Sequence, residues 1–246
     1  MKLISLNTWS GRKSKEIGDF LDAKQDVDIF CLQEVHHNAE GKENIWLDGT
    51  NLAQLDFLQS HLPDYDLLYH PYLGDWWGLA MFIKKELAVA DQGEVFVHKE
   101  KGWNYELEVH GHTAKNLQYA TLATENGPRT IINFHGLWNG QGKDDSPERI
   151  VQTQNIIAFL KTLENPYILA GDFNLNPTTE SMNLLEAHGM RNLIKEYGYT
   201  STRTPLYEKE GKFADYVMVS GDIETLDFTV LPDVVSDHSP LYLEFK

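Results

Sequence analysis

Six short stretches of this 246-residue chain set acidic, amide or imidazole side chains directly beside β-like apolar runs. Asn7 follows Leu3–Leu6, Gln33-Glu34 follows Ile29–Leu32, and His135 follows Ile131–Phe134. Asp172 and Asn174 follow Tyr167–Ala170, Asp215 precedes Tyr216–Val219, and Ser236-Asp237-His238 precedes Leu241–Phe245. Glu34 is a hard oxygen ligand of the kind Mg²⁺ takes with waters and substrate phosphate, or a solvated carboxylate where a strand meets its loop. Asn7 is a turn residue, or a neutral second ligand or orienter that adds no charge to repel a phosphate. In Gly171-Asp172-Phe173-Asn174-Leu175-Asn176-Pro177, the plain reading is an Asx-rich turn. The functional reading makes Asp172 a general base or water orienter and Asn174 a donor to a developing oxyanion.

His238 reads as a surface imidazole, or as a cation or general acid facing phosphate and oriented by a second carboxylate, for which Asp215 is the candidate. Asp237 then completes a metal site or polarises the nucleophile. His135 donates to a nonbridging phosphate oxygen or is a hydrogen-bonded structural imidazole. The set carries more than its members. Acids, amides and imidazoles without a reactive Ser or Cys motif, a P-loop or a Gly-x-Gly-x-x-Gly describe phosphoester hydrolysis by a metal-activated water.

Composition narrows the classes further. A formal net charge of −16 argues against a sequence-independent nucleic-acid coat protein, whose affinity comes from neutralising phosphates. It does not exclude a nucleic-acid enzyme, because fields beyond about 8 Å are screened at physiological salt. Cys31 is the only cysteine, which excludes an intramolecular disulfide and a Cys-based zinc site. Its place in Ile29-Phe30-Cys31-Leu32 predicts a buried, inert thiol. The first residues reach Asn7 before a signal-peptide core forms, and no run approaches the roughly 18 apolar residues of a membrane span. A soluble, cytoplasmic protein without integral membrane association is expected.

The elements that must position these residues are mostly strands. β-like runs occur at Leu3–Leu6, Asp28–Leu32, Leu67–Tyr69, Leu79–Ile83, Glu94–Val97, Glu106–Val109, Tyr119–Ala123, Thr130–Phe134, Tyr167–Ala170, Tyr216–Val219, Leu226–Leu231 and Leu241–Phe245. Such a number exceeds what one flat sheet usually carries. Leu55, Leu58 and Leu62 mark a helix in Asn51–Leu62, and Ser146-Pro147 opens another that runs to Leu163. A third starts after Pro177, carries Leu184 and Leu185, and ends at Gly189. No repeat or linker divides the chain, so one domain over residues 1–246 is expected, with two sheets face to face and helices outside.

In order and spacing, Asn7, Gln33-Glu34, His135, Gly171-Asp172-Phe173-Asn174, Asp215-Tyr216 and Ser236-Asp237-His238 resemble the endonuclease/exonuclease/phosphatase superfamily. The resemblance implies an α/β four-layer sandwich of two packed mixed β-sheets flanked by α-helices, with the site at one edge of the sheets. It implies Glu34 as principal Mg²⁺ (or Mn²⁺) ligand with Asn7 and Asp237 nearby, and Asp172 positioning the attacking water. Asn174 and His135 would contact phosphate, and His238 paired with Asp215 would stabilise the pentacovalent transition state. After His135 the chain reads Gly136-Leu137-Trp138, a departure from the Thr-His-Leu style of many relatives.

The resemblance fixes the bond and not the molecule that carries it. A phosphodiester, with nucleic acid one candidate, is the leading substrate; a small phosphorylated molecule or lipid headgroup is the alternative, and an inactive binding module of the same fold is the third reading. Arg12, Lys13 and Lys15 form a basic rim or a solvated helix face. Trp9, Trp76, Trp77, Trp103 and Trp138 stack on bases or pack, with packing favoured for Trp9 beside its strand. Arg12 and Trp138 are the substrate-binding candidates. Gly93–Lys115 reads as a polar loop that sets specificity.

Overall fold

A computed structural model describes residues 1–42, 49–103 and 113–246. Two mixed six-stranded sheets pack face to face. The first takes the order β11 (Thr225–Val230), β12 (Leu241–Phe245), β1 (Lys2–Asn7), β2 (Ile29–His36), β4 (Trp77–Lys84), β3 (Tyr65–Leu73). The second runs β5 (Ala88–His98), β6 (Lys115–Ala123), β7 (Arg129–His135), β8 (Tyr167–Asp172), β10 (Asp215–Ser220), β9 (Met190–Asn192). The pairs β1–β2 and β7–β8 are parallel and the other pairings antiparallel.

Strand periodicity divides the core. In β2, Ile29 and Cys31 join the large cluster that includes Leu117, Ile131 and Leu169 of the other sheet. Phe30 and Leu32 point the opposite way, onto Ile17, Phe20 and Leu21 of α1 (Ser14–Ala23) and Leu55 and Leu58 of α2 (Gln54–His61). Both faces of the strand are therefore covered, which is why it reads as a continuous apolar run. Truncating Phe30 to Ala would cost about 3–5 kcal/mol through lost burial and the cavity left behind. On the second sheet, Ile156 and Leu160 of α3 (Pro147–Leu160) and Met182 and Leu185 of α4 (Glu180–Ala187) close the outer layer. Ser146 and Thr179 cap these helices by accepting the backbone N–H groups of Arg149 and Met182. The α/β four-layer sandwich expected from the sequence is the observed architecture.

Several elements differ from expectation. The strand β5 spans Ala88–His98, so Gly93–His98 is paired sheet rather than loop. The expected run Glu106–Val109 lies outside the described residues. The solvated helix face weighed for Arg12, Lys13 and Lys15 adjoins α1, whose other face, Ile17, Phe20 and Leu21 at helical spacing, is buried. The three-residue β9 and four-residue α5 (Leu193–Glu196) are too short to show a period. Among the described residues no helix is long and apolar enough to cross a membrane.

Candidate active site

The site lies where strand ends of both sheets meet. In the second sheet, His135, Asp172 and Asp215 occupy one register row across β7, β8 and β10. Neighbours in a row project to the same face, so the three side chains emerge together. Two glycines permit the tight β7–β8 approach beneath them. A Cβ on Gly171 would lie 1.9 Å from the Phe134 carbonyl oxygen, and one on Gly136 would lie 2.3 Å from that of Phe173.

In the first sheet, β2 does not stop at Glu34. It continues to His36 through a bulge between Leu32 and Val35, and Glu34 sits in that bulge with φ of 59°. A bulge re-aims a side chain, and left-handed backbone at a residue other than Gly, Asn or Asp is strained. Trp9 and Ser10 also adopt left-handed φ, as does Asn174, a residue type that tolerates it, and all of them border one cleft of about 350 Å³. Strain gathered around one cavity is the pattern of a functional site.

Hydrogen bonds tie the two sheets together inside that cleft. Asn7 Nδ2 donates to Glu34 Oε1 (3.1 Å) and to Asp172 Oδ2 (3.0 Å), while Asn7 Oδ1 accepts from the Trp9 N–H. Ser10 Oγ donates to Glu34 Oε2 at 3.1 Å. The Asn174 backbone N–H donates to Asp172 Oδ1 at 2.8 Å. His238 Nδ1 lies 2.8 and 2.9 Å from the two Asp215 oxygens, and its Nε2 lies 3.7 Å from both Asp172 Oδ2 and Asp237 Oδ1. Thr202 Oγ1 donates to Asp215 Oδ2, fixing the carboxylate from behind.

Burial works against a charged His238, yet the carboxylates of Asp215, Asp172 and Asp237 overcome it and raise its pKa above the ordinary imidazole value. Burial also opposes ionisation of Asp172, but the charges of His238, Lys143 and Arg203 hold it far below the usual carboxylate range. His135 is the reverse case: burial and the Lys115 charge push it well below the ordinary value, so it is neutral. Tyr72 Oη lies 3.0 Å from His135 Nδ1, and burial keeps that phenol protonated. The phenol donates, the imidazole accepts at Nδ1, and the ring proton sits on Nε2, 3.8 Å from Glu34 Oε1 and Asp172 Oδ2.

Glu34 shows what the cluster lacks. Burial, with Asp237 and Asp172 adding to it, raises its pKa despite His238 and Asn7. Several hard oxygens crowded in a buried site suit a small divalent cation, which would reverse that shift. Glu34 and Asp237 both line the cleft, so the expected pair of donors opens onto one space. Asn7 stands beside them with its amide N–H groups toward the carboxylates, so its Oδ1 would reach a cation only after the amide turned over. Asp172, Asp215 and His238 also bring ligand atoms within 4.8 Å of one another. His238 Nδ1 is already hydrogen-bonded to Asp215, whereas its Nε2 stands 3.7 Å from Asp172 Oδ2.

All eight of Asn7, Glu34, His135, Asp172, Asn174, Asp215, Asp237 and His238 are thus brought together, and Arg12 and Trp138 line the same cleft. Trp9 lines it too instead of packing in the core, its ring under the Arg12 guanidinium at 5.2 Å. Trp77 joins them, whereas Trp76 is buried beside His36 and Trp103 is exposed against Lys99. Sequence reasoning missed Ser10, Tyr72, Lys115, Lys143 and Arg203. Arg149, itself buried, explains how Lys143 is placed: its guanidinium donates to the carbonyls of Leu137, Gly142 and Asp144 and so clamps the loop carrying Trp138 and Lys143.

The chain belongs to the endonuclease/exonuclease/phosphatase family, whose model matches residues 4–238. No curated protein sequence matches it significantly. Solved structures similar to it include a mannosyl-6-phosphatase from Bacteroides thetaiotaomicron, with TM-score 0.78, 18% identity and coverage of 100% of this chain and 99% of that one. A functionally unknown conserved protein from Enterococcus faecalis follows with TM-score 0.75, 21% identity and coverage of 100% and 99%. The human Nocturnin catalytic domain with bound sulfate gives TM-score 0.68, 19% identity and coverage of 100% and 93%.

Proposed function

We propose that this protein is a Mg²⁺-dependent hydrolase of phosphoester bonds that uses water as nucleophile. One observation carries the reading: Glu34 from one sheet and Asp172 from the other are joined by a single amide, Asn7, with the His238–Asp215 pair facing them. Glu34 and Asp237, with Asn7 beside them, would hold the divalent cation, which when bound would supply Lewis-acid polarisation of the phosphoryl group and a more acidic water. Mn²⁺ fits the same oxygen donors.

The chain's own residues do the rest. Asp172, kept ionised by its cationic neighbours, orients the attacking water through a carboxylate oxygen. A carboxylate with so low a pKa is a better orienter than a store for the proton. His135 presents Nε2–H and His238 a charged imidazolium to the phosphoryl oxygens, where negative charge develops. Asn174 holds one amide hydrogen on the Gly136 carbonyl, leaving the second for the same oxygens.

A cleft of about 350 Å³ lined by Arg12, Lys115, Lys143 and Arg203 favours a small phosphorylated molecule, in a chain that is otherwise strongly acidic. The sugar phosphatase among its structural neighbours is consistent with this. Trp9, Trp77 and Trp138 on the cleft walls favour a second reading, single-stranded nucleic acid stacked on aromatic faces. The test is an assay after metal removal by chelation, then with Mg²⁺ or Mn²⁺ restored, over sugar phosphates, inositol phosphates, sphingomyelin, single-stranded DNA and RNA, and abasic DNA. Metal-restored hydrolysis of a phosphoester supports the proposal, and metal-independent or absent turnover on every member rejects it. Cleavage of nucleic acid with a steep salt dependence would favour the second reading.

A further inference from the structure

Two lysines in the cleft are charged, buried and without a carboxylate partner. Lys115, the first residue of β6, is 2% exposed, and Lys143, in the loop clamped by Arg149, is 7% exposed. Among the described residues no carboxylate lies within 4.0 Å of either ammonium. Lys143 Nζ donates to the Asn174 amide oxygen at 2.9 Å, and Lys115 Nζ lies 4.4 Å from the centre of the Tyr72 ring. Arg203, by contrast, is already engaged, with Nη1 3.4 Å from Asp237 Oδ2. Burying a cation without a partner is costly, and proteins retain one where a ligand completes it.

The two lysines line the same cleft from different elements. Lys143 touches Asn174, two residues after Asp172, while Lys115 covers the Tyr72 ring whose hydroxyl fixes His135. Asp172 acts electrostatically on both. We infer that Lys115 and Lys143 form a site for the two negative charges of a phosphomonoester, so that the enzyme prefers monoesters over diesters. The inference rests on the phosphoester-hydrolase reading above and specifies its substrate class. A monoester carries about −1.5 to −2 charges at neutral pH and three nonbridging oxygens. A diester offers one charge and two nonbridging oxygens, leaving one lysine uncompensated. Burial pushes both lysines down to about 8, which still leaves them charged at neutral pH.

The test compares p-nitrophenyl phosphate with bis(p-nitrophenyl) phosphate in Mg²⁺ at pH 7, using wild type, Lys115→Met and Lys143→Met. The wild type is expected to favour the monoester, and each variant to lose about 100-fold in kcat/KM on it, the scale of one lost charge-stabilising donor. Loss on the diester should be roughly tenfold smaller, so the preference itself collapses. Thermal melting checks that the variants fold. Preference of the wild type for the diester, or equal losses on both esters, overturns the inference. If neither ester turns over with Mg²⁺ or Mn²⁺, the hydrolase reading fails instead, and calorimetry with inorganic phosphate then decides the lysine site. Binding that the Lys115→Met/Lys143→Met double variant abolishes supports the dianion site, and absence of binding to wild type overturns it.

Discussion

His238 and Asp215 form a buried pair, Nδ1 to Oδ1 at 2.8 Å, that turns the opposite ring nitrogen toward Asp172 at 3.7 Å. The carboxylate does two things at once: it holds the ring's orientation and it stabilises the imidazolium against burial. Asp215→Asn keeps the shape and removes the charge. The expected outcome is a kcat lower by about 10²-fold or more, the usual worth of a correctly protonated acid–base group. Steady-state kinetics with Mg²⁺ check this, and a variant with wild-type kcat would show the pair to be structural.

Glu34 and Ser10 test the proposed cation site from two distances. Glu34→Gln should raise the Mg²⁺ concentration needed for half-maximal activity by at least roughly tenfold, since a ligand charge is lost. Ser10 donates to Glu34 Oε2, and loss of such an outer partner typically costs about 10–100-fold in metal affinity. Ser10→Ala should therefore move the same Mg²⁺ titration in the same direction. An unchanged titration in both variants places the cation elsewhere.

Much of this site was legible because β-strands end abruptly in polar residues there. Asn7, His135, Asp172 and Asp215 stand at strand termini, where an apolar run makes a carboxylate or amide conspicuous. Glu34 was found for the same reason, but its true setting, a bulge inside a longer strand, follows from cross-strand pairing that no local pattern encodes. Lys115 and Lys143 carried no signal: a lone lysine in a polar stretch reads as solvated, and their burial is imposed by Tyr72 and by the loop that Arg149 clamps. Ser10 and Arg203 are visible only after the two sheets meet. The helix α1 did leave a signal in Ile17, Phe20 and Leu21, masked by the flanking lysines that suggested a solvated face.

The buried lysines also set a pH dependence of stability. Burial lowers Lys115 from 10.5 to about 8. Between those values the unfolded chain binds more protons than the folded one, so stability rises with pH across the window. Lys115→Met removes the penalty. In the absence of phosphate it should stabilise the fold below pH 8, by on the order of 3 kcal/mol at most, and the gain should fade by about pH 10.5. Denaturant unfolding at pH 7 and at pH 10.5 measures this; a variant less stable than wild type at pH 7 would mark Lys115 as part of a structural ion pair.

The proposed role of Asp172, to orient water beside a cation that Glu34 would hold, is open to one direct comparison. The measurement is single-turnover and steady-state hydrolysis of p-nitrophenyl phosphate in saturating Mg²⁺ by wild type and by Asp172→Asn, with melting curves showing that both are folded. The account predicts a loss in kcat of about 10²-fold or more in the variant, the scale of one removed electrostatic contributor. Wild-type turnover by folded Asp172→Asn would contradict it.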